Sequence, residues 1–600
     1  MSVFDGIGAA KETKKTQLTR TAHSQSSETK RIIDLPRVDY MSLPDLTAEL
    51  RRPGVDPSTL GPDAITQLKP LQSAALHAIR AENGGFIPVG VGEGKTFIGI
   101  LAGSVMSNVK WVFYMGPSGG GALVAQIRGQ VFQARRLWKV IPSGALKVHT
   151  YSELSSAKGT NALSRWMRSK DPKTVLFVWD EAHKLKDPTA SRTKRVKRLF
   201  KEYPAVRHVF MSGTLISRSL KDGAHLAHAA LGDRSPLPIG AELTAWASVM
   251  DHDGIAKPAQ EMIVRRLQHA FGDPKDASAP SKAARARLAF SRRLRSAPGV
   301  VMSSAGTLDC SSYIRYVTSG PVIPDDLQEM IEDVDLVGPD GEPLESDAHA
   351  AQIRAHLTAG FYYVPDWGKD GPDEPWLDAK REWNRQVRAE AQYHSQEHYD
   401  SPLLIAGALS RYHTEHGHAP TGREVLWDAL VDWRVQKERR PRPPPNMTIR
   451  VSDYLIDHLM GWLRKQKKPC LIWYGTKATA EALERAGVFV VRAGDEVPKG
   501  RGKHMALSIA AHGTGIDGLQ LKYDTQWLIE PMTGADIWEQ WLGRLLRIKQ
   551  ASREVWTYVY KHAEPFAKAV NKARALARND EEKLQMAQKI LYSDSADITV

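Results

Sequence analysis

Short apolar runs alternate with amphipathic stretches along two separate parts of the chain. In the first part, residues 86–89, 110–115, 146–150, 174–179 and 206–211 are apolar and β-rich. Residues 97–105, 121–138 and 161–168 between them have helical spacing. Alternation of this kind predicts a parallel sheet with helices on both faces, a doubly wound α/β lobe. The pattern loosens beyond residue 235 and returns near residue 451. From there it predicts a helix at 451–466, strands at 469–474, 488–491, 505–510, 525–529 and 555–560, a helix at 535–548 and a terminal helix at 565–591. The intervening 310–445 reads as a mainly helical insert. It has an acidic stretch at 325–345, a stripe of Trp376, Trp383 and Val387 that reads as packing, and a stiff basic Pro-rich linker at 437–445. The expected domains are a flexible basic tail at 1–45, a first α/β lobe at 46–305, the insert and linker at 306–446, and a second lobe at 447–600.

Ligands of such sheets bind beyond the carboxyl ends of the strands, so the residues that follow each strand carry the candidate chemistry. After the first run comes Gly90-Val91-Gly92-Glu93-Gly94-Lys95-Thr96, then an apolar helix. Glycines let backbone N–H groups approach phosphate oxygens, and the helix points its positive end at them. Lys95 suits the β/γ-phosphates of a nucleotide, with Glu93 in the loop, and Thr96 suits Mg²⁺. The full P-loop pattern has Gly where this chain has Val89. Gln72, early on a helix that begins near Pro70, has an amide able to read an adenine edge.

A second signal is Asp180-Glu181-Ala182-His183 after Val-Leu-Phe-Val-Trp. Acids at the end of a buried strand are costly unless they hold a cation or a proton in transit. Asp180 suits Mg²⁺ through water, and Glu181 suits the orientation or deprotonation of an attacking water. In the second lobe, Arg544 and Arg547 lie three apart on the predicted helix and suit phosphate in a cleft between lobes.

Other features have plainer readings. The basic stretches 192–201 and 282–295 read as solvated helix faces, with phosphate contact as the alternative. His394-Ser395-Gln396-Glu397-His398 matches a short zinc-peptidase pattern, but no third ligand is identifiable. The formal net charge of +14 favours a polyanionic partner, nucleic acid above all. The two cysteines, Cys310 and Cys470, exclude a disulfide framework and cysteine-rich zinc sites. No apolar stretch reaches the ~18 residues of a membrane span, and the first residues have no signal-peptide core, so a cytoplasmic location is expected.

Taken together, these segments resemble the superfamily-two helicases and translocases, and among them the Swi/Snf-type branch. The likeness spans residues 65–230 and 469–560. Leu68-Lys69-Pro70-Leu71-Gln72 is similar to the adenine-reading segment, and Gly92–Thr96 to motif I. Pro117 with the glycines after it is similar to motif Ia, and His149–Leu154 to the next strand-end motif. Asp180–His183 looks like a DEAH-type motif II, and Ser212-Gly213-Thr214 like motif III. Cys470–Gly475, His512–Leu519 and Gln540, Gly543, Arg544, Arg547 and Gln550 resemble motifs IV, V and VI.

The resemblance implies two RecA-like lobes with ATP at their interface and nucleic acid across both. It implies that Glu181 acts on the attacking water, that Gln540, Arg544 and Arg547 complete the site from the second lobe, and that Gly515 and Asp517 approach the ribose. His183, Ser212 and Thr214 would couple the ATP state to the nucleic-acid groove, and Ser118, Gly119, Tyr151 and Thr514 would touch the nucleic acid. The insert and the short bridge at 492–504 depart from the branch, as does Leu215 where proline is frequent. The chain looks most like a compact bacterial or phage-encoded member. The expectation is a DNA helicase or double-stranded DNA translocase using ATP and Mg²⁺. An RNA helicase and a DNA-binding scaffold with an inactive ATP site are the alternatives.

Overall fold

The computed structural model describes residues 26–60, 64–116, 120–155, 157–187, 190–213, 215–216, 219–251, 260–271, 281–303, 310–393, 402–492, 495, 497–498, 503–513, 518–547 and 550–600. The protein is an α/β molecule of two lobes, each built on a parallel sheet. In the first lobe the strands are β1 (Gly85–Ile87), β2 (Trp111–Gly116), β3 (Leu146–Thr150), β4 (Val175–Asp180) and β5 (Arg207–Met211), in the order β1-β5-β4-β2-β3. Every pairing is parallel. The continuous apolar runs reflect burial on both faces. Phe86, Phe113, Phe177, Trp179 and Phe210 pack on one face, while Ile87, Tyr114, Val178, Val209 and Met211 pack on the other.

The open edge of β1 is covered. Phe86 bridges to Val300, the Phe86 amide donates to the Gly299 carbonyl and the Ser303 amide to that of Pro88. Residues 299–303 therefore run beside β1 as far as the loop that follows it, which satisfies an edge that would otherwise be exposed.

In the second lobe the strands are β6 (Ser311–Ser319), β9 (Leu471–Tyr474), β10 (Phe489–Val491), β11 (Met505–Ser508), β12 (Thr525–Leu528), β13 (Glu554–Tyr560) and β14 (Asp594–Thr599). They form one sheet, β10-β11-β9-β12-β13-β6-β14. β7 (Phe361–Pro365) and β8 (Asn446–Arg450) make an antiparallel pair at the base of the insert. The pair carries helices Glu374–Tyr393, Pro402–His416 and Glu424–Arg439, whose small core includes Trp383, Val387, Ile405, Leu409 and Leu430.

Several boundaries differ from expectation. Ser311–Ser319, assigned by pattern to the insert, is an inner strand of the second sheet, because it pairs with β13 through seven registered residues. Part of the segment expected as a flexible tail is folded. Ser27–Asp34 is a helix whose Ile32 is fully buried, and Arg31 donates to the carbonyls of Asp233, Ser235 and Leu237. The strand predicted at 505–510 stops at Ser508, where the Ser508 hydroxyl caps a short helix, Ile509–His512. The terminal helix ends at Leu584, followed by the helix Lys589–Tyr592 and β14. The zinc-peptidase-like 394–398 falls outside the described residues.

The basic stretch 282–295 forms a helix, but not a solvated one. Arg293 donates to the carbonyls of Ile32 and Leu35, Arg295 to those of Ser303, Leu584 and Gln585, and Arg287 pairs with Glu582 at 3.4 Å. These guanidinium groups join three segments distant in sequence. Such bonds from a charged donor to backbone carbonyls are worth more than neutral ones.

Candidate nucleotide site between the lobes

The phosphate-loop candidate follows β1. Gly92 and Gly94 have φ of +92° and +83°, conformations that L side chains rarely adopt. Gly94 directly precedes helix Lys95–Val105, so Lys95 and Thr96 open that helix. Val89, where the full pattern has glycine, is fully buried in the core, so its side chain packs inward and the loop proper begins at Gly90.

Lys95 is buried, and its Nζ donates to the carbonyls of Val89 and Gly90 at 3.2 and 3.1 Å. It also stands 3.7 Å from Glu181 Oε1. Gln72 is buried against the loop. Its Oε1 accepts from the Lys69 amide and its Nε2 donates to the Gly94 carbonyl at 3.4 Å. The Gln72 amide therefore braces the loop.

Asp180 ends β4 and faces the start of the phosphate-loop helix. Its Oδ2 accepts from Thr96 Oγ1 at 3.4 Å and from the Tyr114 hydroxyl at 2.6 Å. Burial, then the charge of Glu181, raise the Asp180 carboxyl above its ordinary range, against the pull of Lys95 and Tyr114. Burial also works against ionised Glu181, but Lys95, His183 and Arg544 together hold it well below the usual range. The two adjacent acids are thus shifted in opposite directions, Glu181 further into the carboxylate form and Asp180 toward easier protonation. Glu181 has φ +51°, a left-handed conformation unusual for a non-glycine residue, and this aims its side chain at Lys95 and His183.

A polar chain leads from Glu181 to the other lobe. The Ser212 hydroxyl, just beyond β5, donates to Glu181 Oε2 at 3.3 Å, and His183 Nδ1 lies 2.9 Å from the Ser212 oxygen. His183 Nε2 lies 3.3 Å from Gln540 Nε2 on the second-lobe helix Ala535–Leu542. Burial, against the pull of Glu181, lowers the His183 pKa and so favours the neutral ring. A neutral ring with its proton on Nδ1 donates to Ser212 and accepts at Nε2 from the Gln540 amide. One helical turn before Gln540, Asp536 accepts from Lys186 at 3.2 Å. The second lobe thus grips the segment after β4 at two points.

The helix expected at 535–548 ends at Leu542, and Gly543 caps it. Arg544 and Arg547 accordingly lie in the turn after the helix rather than on one helical face. That turn rests on the phosphate loop: a Cβ added to Gly543 would stand 2.7 Å from Val91 Cγ1, and one added to Gly92 would stand 3.3 Å from Arg547 Cβ. Arg544 is buried, and its Nε donates to the Gln540 carbonyl.

The structure therefore brings Gln72, Gly92, Gly94, Lys95, Thr96, Asp180, Glu181, His183, Ser212, Gln540, Arg544 and Arg547 together where the two lobes meet. Glu93 sits in the same loop. Tyr151 is fully buried under β3 and β4, stacked on Trp179, so its ring is not on a groove surface. Ser118, Gly119, Thr214, Thr514, Gly515 and Asp517 lie outside the described residues. Sequence reasoning missed Tyr114, whose hydroxyl is the polar tip of an otherwise apolar strand. It also missed Ser303, whose hydroxyl accepts from the Gly90 amide at 2.8 Å.

The donor set at Thr96 and Asp180 is one hydroxyl and one carboxylate, hard oxygens suited to Mg²⁺. No group of three or more His, Cys, Asp or Glu that could hold a metal occurs among the described residues. Mg²⁺ completed by phosphate and water needs no such group. No described helix is long and apolar enough to cross a membrane. No family model matches the chain, and neither does any curated protein.

Proposed function

We propose that the protein is an ATP-dependent nucleic-acid motor, a DNA helicase or double-stranded DNA translocase. In this reading both lobes are RecA-like and ATP is hydrolysed in the cleft between them. The observation that carries it is the polar chain Ser212–Glu181–His183–Gln540, which crosses between the lobes beside Lys95 and Asp180. A phosphate-binding loop used only for storage needs no such bridge. A motor does, because closure of the lobes must report on the nucleotide.

Lys95 would turn from the carbonyls of Val89 and Gly90 to the β/γ-phosphates, and the loop amides would hold the remaining oxygens. Thr96 and Asp180 would hold Mg²⁺, which neutralises phosphate charge when bound. Glu181, kept ionised by its cationic neighbours, would orient a water in line with the γ-phosphorus and accept its proton as the bond to the leaving ADP breaks. Arg544 and Arg547 would meet the charge that spreads over the phosphoryl oxygens. DNA is the preferred track given the basic balance of the chain, and the cytoplasm the expected setting.

The test separates binding from turnover. Arg544→Ala should bind a non-hydrolysable ATP analogue near wild-type affinity while hydrolysis falls by about 10²-fold, the scale of losing one transition-state contact. Equal hydrolysis by the variant and the wild-type chain would remove the second lobe from the chemistry. Stimulation by RNA and not by DNA would reassign the track.

A further inference from the structure

The two lobes meet a second time, away from the arginine turn. The helix Glu564–Leu584 grows from the second lobe, yet Leu584 and Met586 are buried in the hydrophobic core of the first. Around them Glu582 pairs with Arg287, and Lys583, fully buried, pairs with Asp251 at 3.4 Å. Residues 582–586 thus form a strap from the second lobe docked on the first.

What the strap touches leads back to the nucleotide cleft. The carbonyls of Leu584 and Gln585 both accept from Arg295 Nη2, at 2.7 and 2.6 Å. The same nitrogen donates to the Ser303 carbonyl at 2.8 Å. Ser303 ends the segment that runs along β1. Its hydroxyl accepts from the Gly90 amide at 2.8 Å, and its own amide donates to the Pro88 carbonyl at 3.2 Å. A continuous set of bonds therefore runs from the strap through one guanidinium and one serine to the first residue of the loop. Ser303 is buried and Arg295 half-buried, and neither bonds to Lys95, Asp180 or Glu181 in the set traced here.

We propose that Arg295 and Ser303 are positioning residues that transmit docking of the C-terminal strap to the phosphate loop. When the strap is seated, Arg295 draws the Ser303 backbone toward it, and the Ser303 hydroxyl holds the Gly90 amide. When the lobes part and the strap lifts, Arg295 loses two of its three acceptors and Ser303 is released. The loop then reads lobe separation from behind, independently of Arg544 and Arg547 in front. This inference rests on the reading of Gly90–Thr96 as a phosphate loop for its meaning, but its test needs no hydrolysis.

The Gly90 amide is the reporter. Amide hydrogen exchange is followed in the full chain without nucleotide, with the β4 amides of Leu176–Val178 as an internal reference for global stability. Ser303→Ala should speed Gly90 exchange about five-fold or more, the scale of one lost hydrogen bond, and leave residues 582–586 unchanged. Ser303→Thr, which keeps the hydroxyl, should preserve protection. Arg295→Met should speed exchange at both Gly90 and the strap. Leu584→Asp, which expels the strap without touching the loop, should speed Gly90 exchange as well, and should add nothing further in the Ser303→Ala background. Unchanged Gly90 exchange in Arg295→Met and Leu584→Asp, with the β4 amides still protected, overturns the proposal. So does an additive double variant. A chain that passes this test yet hydrolyses no ATP would retain the relay and lose the motor reading.

Discussion

Gly543→Ala sets backbone preference against the contact between lobes. Gly543 has φ −65° and ψ −2°, a right-handed conformation at a helix end, so alanine is locally favoured by about 0.5–1 kcal/mol. Its added methyl, however, would stand 2.7 Å from Val91 Cγ1 and 2.8 Å from the Glu539 carbonyl. Overpacking of this kind costs about 1–3 kcal/mol, and here the movable partner is the phosphate loop. The net penalty of about 1–2 kcal/mol is shared between lobe closure, through Val91, and the second lobe's own helix end, through the Glu539 carbonyl. Each ~1.4 kcal/mol is ten-fold in a population, so steady-state ATP hydrolysis should drop several-fold, up to about ten-fold, with a small fall in the thermal midpoint. Val91→Ala removes the nearest clashing carbon, and the double variant should recover the part of the activity lost to the contact between lobes. The assay is phosphate release by the two single variants and the double variant. A Gly543→Ala chain as active as wild type, or a loss that Val91→Ala does not repair, would refute the reasoning that this turn works against the loop.

Asp536→Lys should disrupt the interlobe pair with Lys186, and Lys186→Asp in the same chain should restore interlobe protection from exchange at residues 183–186; no restoration would mean that the 3.2 Å pair is incidental. Tyr114→Phe deletes a 2.6 Å donor to a buried carboxylate and should cost about 1.5–3 kcal/mol in urea unfolding, with a loss near zero arguing that Asp180 is satisfied elsewhere. His208 is fully buried, and burial lowers its pKa from 6.5 to about 3. The unfolded chain takes up a proton below pH 6.5 and the folded chain does not, so this stability is full above pH 6.5 and is lost as pH falls toward 3. The slope is about 1.4 kcal/mol per pH unit, and His208→Gln, which keeps an acceptor for the Trp179 Nε1–H, should flatten the urea stability profile between pH 6.5 and 5; parallel profiles would contradict the assignment.

The parts of this arrangement that could be read from the chain were those with a local cause. Phe86–Val89 followed by the glycine loop and an apolar helix is a strand–turn–helix whose meaning lies in twenty consecutive residues. Asp180 and Glu181 stood out because acids end an otherwise apolar strand. The alternation of runs gave parallel sheets, and β4 is buried along its whole length as a central strand must be. Pairing partners were another matter. β6 reaches β13 across more than two hundred residues, and nothing in Ser311–Ser319 names its neighbour. β14, rich in Asp and Ser, has the composition of a loop and becomes a strand only because β6 offers it an edge.

Charge misled where geometry decides. The helix Lys282–Arg295 has the pattern of a solvated basic face, yet Arg287 and Arg293 are buried and spend their donors on distant partners. The helix ends at Leu542 with Gly543 at its cap, whereas periodicity alone carried the helix on to residue 548 and put Arg544 and Arg547 on one face. Ser303 left no trace at all, because a serine after Val-Val-Met has no local signature for the amide it holds.

Whether nucleic acid drives ATP turnover where the lobes meet is the deciding point. The most direct measurement is steady-state phosphate release by the full chain with and without linear duplex DNA, alongside Lys95→Ala and Glu181→Gln. The prediction is hydrolysis that rises on adding DNA and is lost in both variants, while Glu181→Gln still binds nucleotide. Hydrolysis that is absent, or that proceeds at one rate with DNA, with RNA and with neither, would contradict it.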